Sequence, residues 1–259
     1  MYELHLKPIH KISISIVCCL LSIVYSADAQ NIKDSSLFIP MVKFSYSGMW
    51  SGGDMAKRFG FGSVVSLNFS IKTKRNLFFG GEGSFIFGDN VNETGILDSL
   101  MTTSGFIINQ SGNPATVRIY ERGFTASLHI GKLFSIGKHS KNSGVLVYAG
   151  PTYLWHWISI DDIGHQSPQL VDEYLKGYDR FTGGFGIHEF IGYTYFGSNR
   201  IINFFAGFDF TQAFTKSLRS YDYDLMRPDT QNRVDLLSGF RIGWILPLYR
   251  ATPDEFYYH

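Results

Sequence analysis

Eight stretches of the chain alternate large apolar residues with small polar ones, and polar, Gly- or Pro-containing segments separate them. The first runs from about Leu37 to Trp50, with Phe38, Val42, Phe44 and Tyr46 in one phase and Met41, Lys43, Ser45 and Ser47 in the other. The second, about Phe59 to Ile71, sets Phe59, Phe61, Val65, Leu67, Phe69 and Ile71 against Gly60, Gly62, Ser66, Asn68 and Ser70. The third (about Leu77 to Phe87) and fourth (about Arg118 to Phe134) repeat the pattern. The fifth, about Val145 to Ile160, carries large residues in both phases, so alternation leaves its orientation open. The sixth to eighth cover about Phe181 to Phe196, Ile201 to Phe214 and Val234 to Leu248. Period-2 alternation places each set on one face of a strand. The chain is therefore predicted to be all-β.

Which face is buried follows from the character of the weaker face. A soluble sandwich hides its apolar face and shows water a charged one. Here the weaker face is mostly Gly, Ser, Thr and Asn, as in the cramped interior of a small barrel whose Phe, Leu and Ile meet lipid. Connection lengths agree: about 8, 5, 30, 10, 20, 4 and 19 residues in order, with boundaries good to a few residues. The even-numbered connections are short and three of the four odd-numbered ones are long, as in barrels with short periplasmic turns and long outer loops. The expectation is an eight-stranded antiparallel transmembrane β-barrel of up-and-down meander topology. A soluble exported β protein is the competing fold. Aromatic girdles are expected at Trp50, Trp155 and Trp157 on the outer edge. The inner girdle would comprise Tyr193, Tyr195, Phe196, Tyr249 and Phe256-Tyr257-Tyr258.

Residues 1–29 read as a secretory leader, and 30–259 as the barrel domain. Lys7, His10 and Lys11 precede the apolar run Ile12–Val24, and Ala27-Asp28-Ala29 has the small-x-small form that a signal peptidase cleaves, here after Ala29. That run is shorter than the ~20 residues a spanning helix needs. Both cysteines, Cys18 and Cys19, lie in the leader, so the mature chain has neither a disulfide nor a thiolate metal ligand. Nothing after residue 30 is continuously apolar for long enough to span as a helix. Charged residues are 17% and aromatics 16% of 259 residues, with a net charge of +1. This excludes a disordered chain and argues against a nucleic-acid partner.

The chain resembles an uncharacterised, porin-like family of outer-membrane β-barrels from Bacteroidota. The resemblance is carried by Gly95-Ile96-Leu97-Asp98, Ser104-Gly105-Phe106-Ile107, Glu121-Arg122-Gly123-Phe124, Tyr174-Leu175-Lys176-Gly177-Tyr178-Asp179-Arg180 and Gly243-Trp244-Ile245-Leu246-Pro247-Leu248-Tyr249. It is also distantly similar to small barrels that accompany type IX secretion. The resemblance implies a place in the outer membrane and contact with its lipid and lipopolysaccharide. It also implies insertion by the barrel assembly machinery, and a role as envelope scaffold or accessory to a secretion or surface-protein complex. Arg241, Gly243, Leu246 and Leu248 have the spacing of the last-strand signal that this machinery reads.

Candidate chemistry is sparse. Lys43, Glu82, Glu121, His129, Asp209, Asp235 and Arg241 fall in the interior phase. Charges there need partners or water, and eight strands leave a lumen that side chains just fill. A salt-bridge plug is expected, with Arg241 pairing with Glu82 or Asp209; a narrow channel is the alternative. His156, Asp161, Asp162 and His165 are expected near the outer rim, where a hydrolase or lipid-modifying enzyme would keep its base. No known catalytic pattern surrounds them, and no cofactor or metal is expected. The long second outer loop carries Leu97, Leu100, Phe106 and Ile107, too apolar for a loop in water. They either fold over the barrel mouth or meet a partner. The function expected is non-enzymatic, structural or interactive.

Overall fold

The computed structural model describes residues 36–136, 141–164, 167–197 and 202–248. The leader, Tyr249, the 256–258 aromatics and His165 lie outside the described residues. Eight strands form a closed ring in chain order. They are β1 (Ile39–Gly53), β2 (Phe61–Lys72), β3 (Leu77–Gly88), β4 (Thr116–Ser135), β5 (Gly144–Ile163), β6 (Thr182–Phe196), β7 (Asn203–Ser217) and β8 (Asn232–Pro247). Every neighbouring pair is antiparallel, and β1 meets β8 from Met41 opposite Pro247 to Gly53 opposite Asp235. Ring closure satisfies the backbone of every strand internally, which hydrocarbon demands. Among the described residues no helix is long and apolar enough to cross a membrane. The only α-helix among them is α1 (Asp172–Leu175), in the third outer loop.

The outward face is a continuous apolar wall. Phe185 and Phe214 face each other across β6 and β7 and are 73% and 74% exposed, and Leu128 and Ile130 of β4, Phe208 of β7 and Phe240 of β8 are exposed on the same outward face. Water would not tolerate so large a contiguous patch, whereas lipid requires it. The barrel is a transmembrane one. Trp50 is exposed at the outer end of β1, and Tyr193 and Tyr195 at the inner end of β6. Phe196 departs from the expected girdle: it turns inward and is buried, because it lies one residue out of phase with Tyr195.

The interior is layered rather than uniformly small and polar. At the inner end Ile39, Met41, Phe78, Leu133, Phe190, Phe205 and Ile245 form one apolar cluster. At the outer end Met49, Met55, Phe59, Ile86, Leu154 and Ile158 form another, covered by the second and third outer loops. β5 explains why its two phases looked alike. Leu146, Tyr148, Leu154, His156 and Ile158 point inward into these layers, and Val147, Tyr153, Trp155 and Trp157 stand on the outer wall.

Phe59 is a second correction. Alternation assigned it to the lipid-facing side of β2 together with Phe61. A 3-10 turn at Met55–Lys57 shifts the phase, and the Phe59 N–H donates to the Met55 carbonyl (2.9 Å). The ring is fully buried, edge-on to His156 at 5.5 Å. Phe59→Ala is expected to destabilise the barrel by about 3–5 kcal/mol through the cavity it leaves. Heat-modifiable mobility on mild-detergent gels would read this as a lower conversion temperature.

Candidate functional site

Between the two apolar layers lies a charged one. Arg241 of β8 reaches Glu82 of β3 through Nη1 (2.8 Å) and Asp209 of β7 through Nη2 (2.5 Å). The same guanidinium donates to Ser47 Oγ (3.2 Å) and Tyr148 Oη (3.2 Å). Asp209 is also bonded to His188 Nε2 at 2.6 Å, and Glu82 accepts from Asn68 Nδ2 at 3.0 Å and Ser84 Oγ at 3.2 Å. Register makes room for the guanidinium, since Arg241 faces Gly207 on β7 and Ser47 on β1. His129 stacks on Tyr148 (4.4 Å between centroids) and lies 3.2 Å from Ser70 Oγ. A Cβ on Gly80 would come within 2.7 Å of His129 Nε2, so glycine is required there.

Lys43 sits just below this layer in an aromatic box. Its Nζ is 5.5, 5.4 and 5.5 Å from the rings of Phe78, Tyr148 and Phe205, and no described residue hydrogen-bonds it. Desolvated cation–π contacts of this kind each contribute about 1–2 kcal/mol. Lower still, Lys72 Nζ donates to Ser36 Oγ, the Leu37 carbonyl and Asn142 Oδ1 at 2.8–3.1 Å.

Above the charged layer, His156 Nε2 lies 2.8 Å from Asp235 Oδ2, which also accepts from Thr215 Oγ1 at 2.5 Å. Glu121 is wholly buried, and neither carboxyl oxygen has a partner among the described residues. It lies across Gly62 and Gly88, where an added Cβ would meet Oε2 at 2.6 and 2.9 Å.

The outer loops are locked by two buried arginines. Arg58 donates to Thr182 Oγ1 (2.6 Å) and the Arg180 carbonyl (3.3 Å), and its Nε lies 3.3 Å from Glu93. Arg180 grips Asp224 with both Nη atoms (2.7 and 2.5 Å), Glu93 with Nε (2.9 Å), and comes within 3.1 Å of Asp222. Burial disfavours charge on Arg180, but its bonds to Asp224 and Glu93 outweigh that and hold its pKa above the ordinary guanidinium value. The network borders a cavity of about 310 Å³. Arg219 pairs with Asp179 and stacks on Phe181 at 5.0 Å.

The structure thus gathers Lys43, Glu82, His129, Asp209 and Arg241 into and beside one layer, and leaves Glu121 and Asp235 nearer the mouth. His188, Tyr148 and Arg58 were not singled out from the sequence, and Arg180 stood out only as the end of a resemblance motif, with no role. His188 was recoverable, because it falls in the phase opposite Phe185 and Ile187. Arg58 and Arg180 lie in loops, where no periodicity marks them.

The remaining candidate residues fall at the mouth, inside the barrel and at the end of β8. Leu97 and Ile107 are buried in the apolar seal over the mouth and have no free face for a partner, because packing there removes their side chains from water. Leu100 packs half-buried against the same cluster, and Phe106 is exposed. His156 is not at the rim but inside the barrel, completely buried. Asp161 faces outward, and Asp162 accepts from the Ser167 N–H (2.8 Å), so these groups do not converge. Of the last-strand set, Arg241 and Gly243 point inward and Leu246 points to lipid. Leu248 follows β8, and its N–H donates to the Pro40 carbonyl at 2.8 Å. Among the described residues no group of three or more His, Cys, Asp or Glu is placed to hold a metal ion.

No family model and no curated protein matches the chain. Solved structures do. The attachment invasion locus protein Ail of Yersinia pestis is 6% identical over 80% of this chain and 98% of Ail, with a TM-score of 0.37. Its complex with the heparin analogue sucrose octasulfate gives 10% identity over 80% and 98%, with a TM-score of 0.33. The outer membrane protein OprG of Pseudomonas aeruginosa is 13% identical over 84% and 99%, with a TM-score of 0.36.

Proposed function

We propose that the chain is a non-enzymatic outer-membrane barrel whose wall is a sealed support and whose outer loops hold a surface for a partner. The observation that carries this reading is the crown of the third and fourth outer loops. Tyr174, Tyr221, Tyr223, Leu225 and Met226 are exposed there, Met226 to 75%. They stand on loops that Arg180 and Arg58 pin together. A rigid platform with exposed aromatic and apolar anchors loses little entropy on docking. The sealed lumen supports the non-channel part, since charged and apolar layers succeed one another along its length. The buried position of His156 supports the non-enzymatic part.

The reading includes export by the leader with cleavage after Ala29 and insertion by the barrel assembly machinery through the last strand. It also includes contact with outer-membrane lipid and lipopolysaccharide. A Bacteroidota origin and service to a secretion or surface-protein complex complete it. A photoreactive residue at Met226 is expected to give one discrete protein adduct in intact cells, lost in Tyr221→Asp/Tyr223→Asp. Absence of any protein adduct would count against the platform. In planar bilayers the purified barrel is expected to add no conductance above the bare membrane, whereas steady single-channel steps would favour the narrow channel.

A further inference from the structure

One charged group stands where the lipid-facing wall has no use for it. Glu189 lies on the outward phase of β6, between His188 and Phe190, and so at the height of the Arg241 layer. Register sets Ala149 of β5 on one side of it and Phe210 of β7 on the other. Around it Leu128, Ile187, Ile191 and Phe208 are 65%, 52%, 47% and 58% exposed. The other outward charges on this wall, Arg118, Arg122, Lys132, Asp161 and Lys216, stand nearer its ends, at or within reach of the interfaces. Glu189 is too short and too central to do so, and a carboxyl facing hydrocarbon is destabilising. A second polar side chain shares the patch: Gln212, exposed on β7, opposite Ile187. No hydrogen bond among the described residues reaches either side chain.

We propose that this patch is the interface of a symmetric dimer within the membrane. The β5–β7 wall of one copy packs on the same wall of a second copy about a twofold axis along the membrane normal. The Gln212 amide of each copy donates to the Glu189 carboxyl of the other, and the symmetry makes the bond twice. Donor and acceptor are complementary, and each covers a group that would otherwise face lipid. Beside Glu189, Ala149 and Pro151 leave the wall shallow, as small residues do where membrane segments approach closely. The inference rests on the outer wall facing lipid and is independent of the loop platform.

The test uses the full-length protein in native membranes, where removal of the leader takes away both cysteines. Membrane fractionation comes first: recovery in the soluble fraction would overturn the dimer together with the membrane reading. A bis-maleimide is expected to link Ala149→Cys into dimers and to leave Leu67→Cys, on the opposite wall, monomeric. Adding Glu189→Leu or Gln212→Leu to Ala149→Cys should cut the dimer yield at least about tenfold, whereas Glu189→Gln should retain it. Because Glu189→Leu removes a lipid-facing carboxyl, the monomer should keep its heat-modifiable mobility, which separates lost pairing from lost folding. Equal cross-linking at positions 149 and 67, or an undiminished yield in Glu189→Leu, would overturn the dimer while leaving the membrane reading intact.

Discussion

Arg241→Leu is expected to destabilise the barrel more than any other single lumen substitution. The change leaves the carboxylates of Glu82 and Asp209 buried, about 2% exposed at the side chain, without the cation that faces them both. Breaking a buried pair by removing one partner costs roughly 3–5 kcal/mol, because the remaining charge stays desolvated. Two such charges share one cation here, so the upper part of that range applies. The readout is the temperature at which the compact barrel converts to the slower-migrating unfolded form. Adding Glu82→Gln and Asp209→Asn should restore much of the loss, since neutral amides keep the hydrogen bonds to Asn68 and His188 without unpaired charge. Uptake of small solutes should stay unchanged. A large rise in uptake with little loss of stability would identify the layer as a gate instead.

Arg180→Met should act on the loops and spare the wall. The guanidinium joins the second outer loop, through Glu93, to the fourth, through Asp222 and Asp224. Glu93 is 29% exposed at its side chain, so solvent screens part of the loss. A local cost of about 2–3 kcal/mol follows, below that of a fully buried pair. Local opening of this size exposes the 218–231 segment to protease, with cleavage faster by at least about tenfold. The barrel's conversion temperature should shift little, since ring hydrogen bonds do not depend on this contact. A matching collapse of the whole barrel would show that the loops and the wall unfold together.

How far the sequence foretold this architecture can be argued strand by strand. Alternation found all eight strands, because lipid outside and a cramped lumen inside impose opposite demands on successive residues of each. It stalled at β5, where Leu146, Leu154 and Ile158 fill the lumen's apolar layers and so look no different from Val147 and Trp155 on the wall. It misjudged Phe59 for a related reason: a 3-10 turn resets the phase without leaving a trace in the alternation. The interior phase collected Arg241, Glu82 and Asp209, but register, which alternation does not encode, decides that Arg241 meets both acids. The pairings of the loop arginines were invisible because partners such as Arg58 and Thr182 lie 124 residues apart. The apolar stretch of the second outer loop allowed two readings, a seal or a contact surface. Packing of Ile96, Leu97 and Ile107 against Met55 and Phe59 supplies the seal.

The seam between the first and last strands has a consequence for how the molecule is made. Met41 must find Pro247, and Trp50 must find Ser238. Pairings this distant in the chain form slowly and late. Until the ring shuts, two greasy edges stand open, each able to recruit a stranger's strand. The open ring is therefore the state in which this protein is most prone to pair wrongly, and closing the seam removes both edges at once.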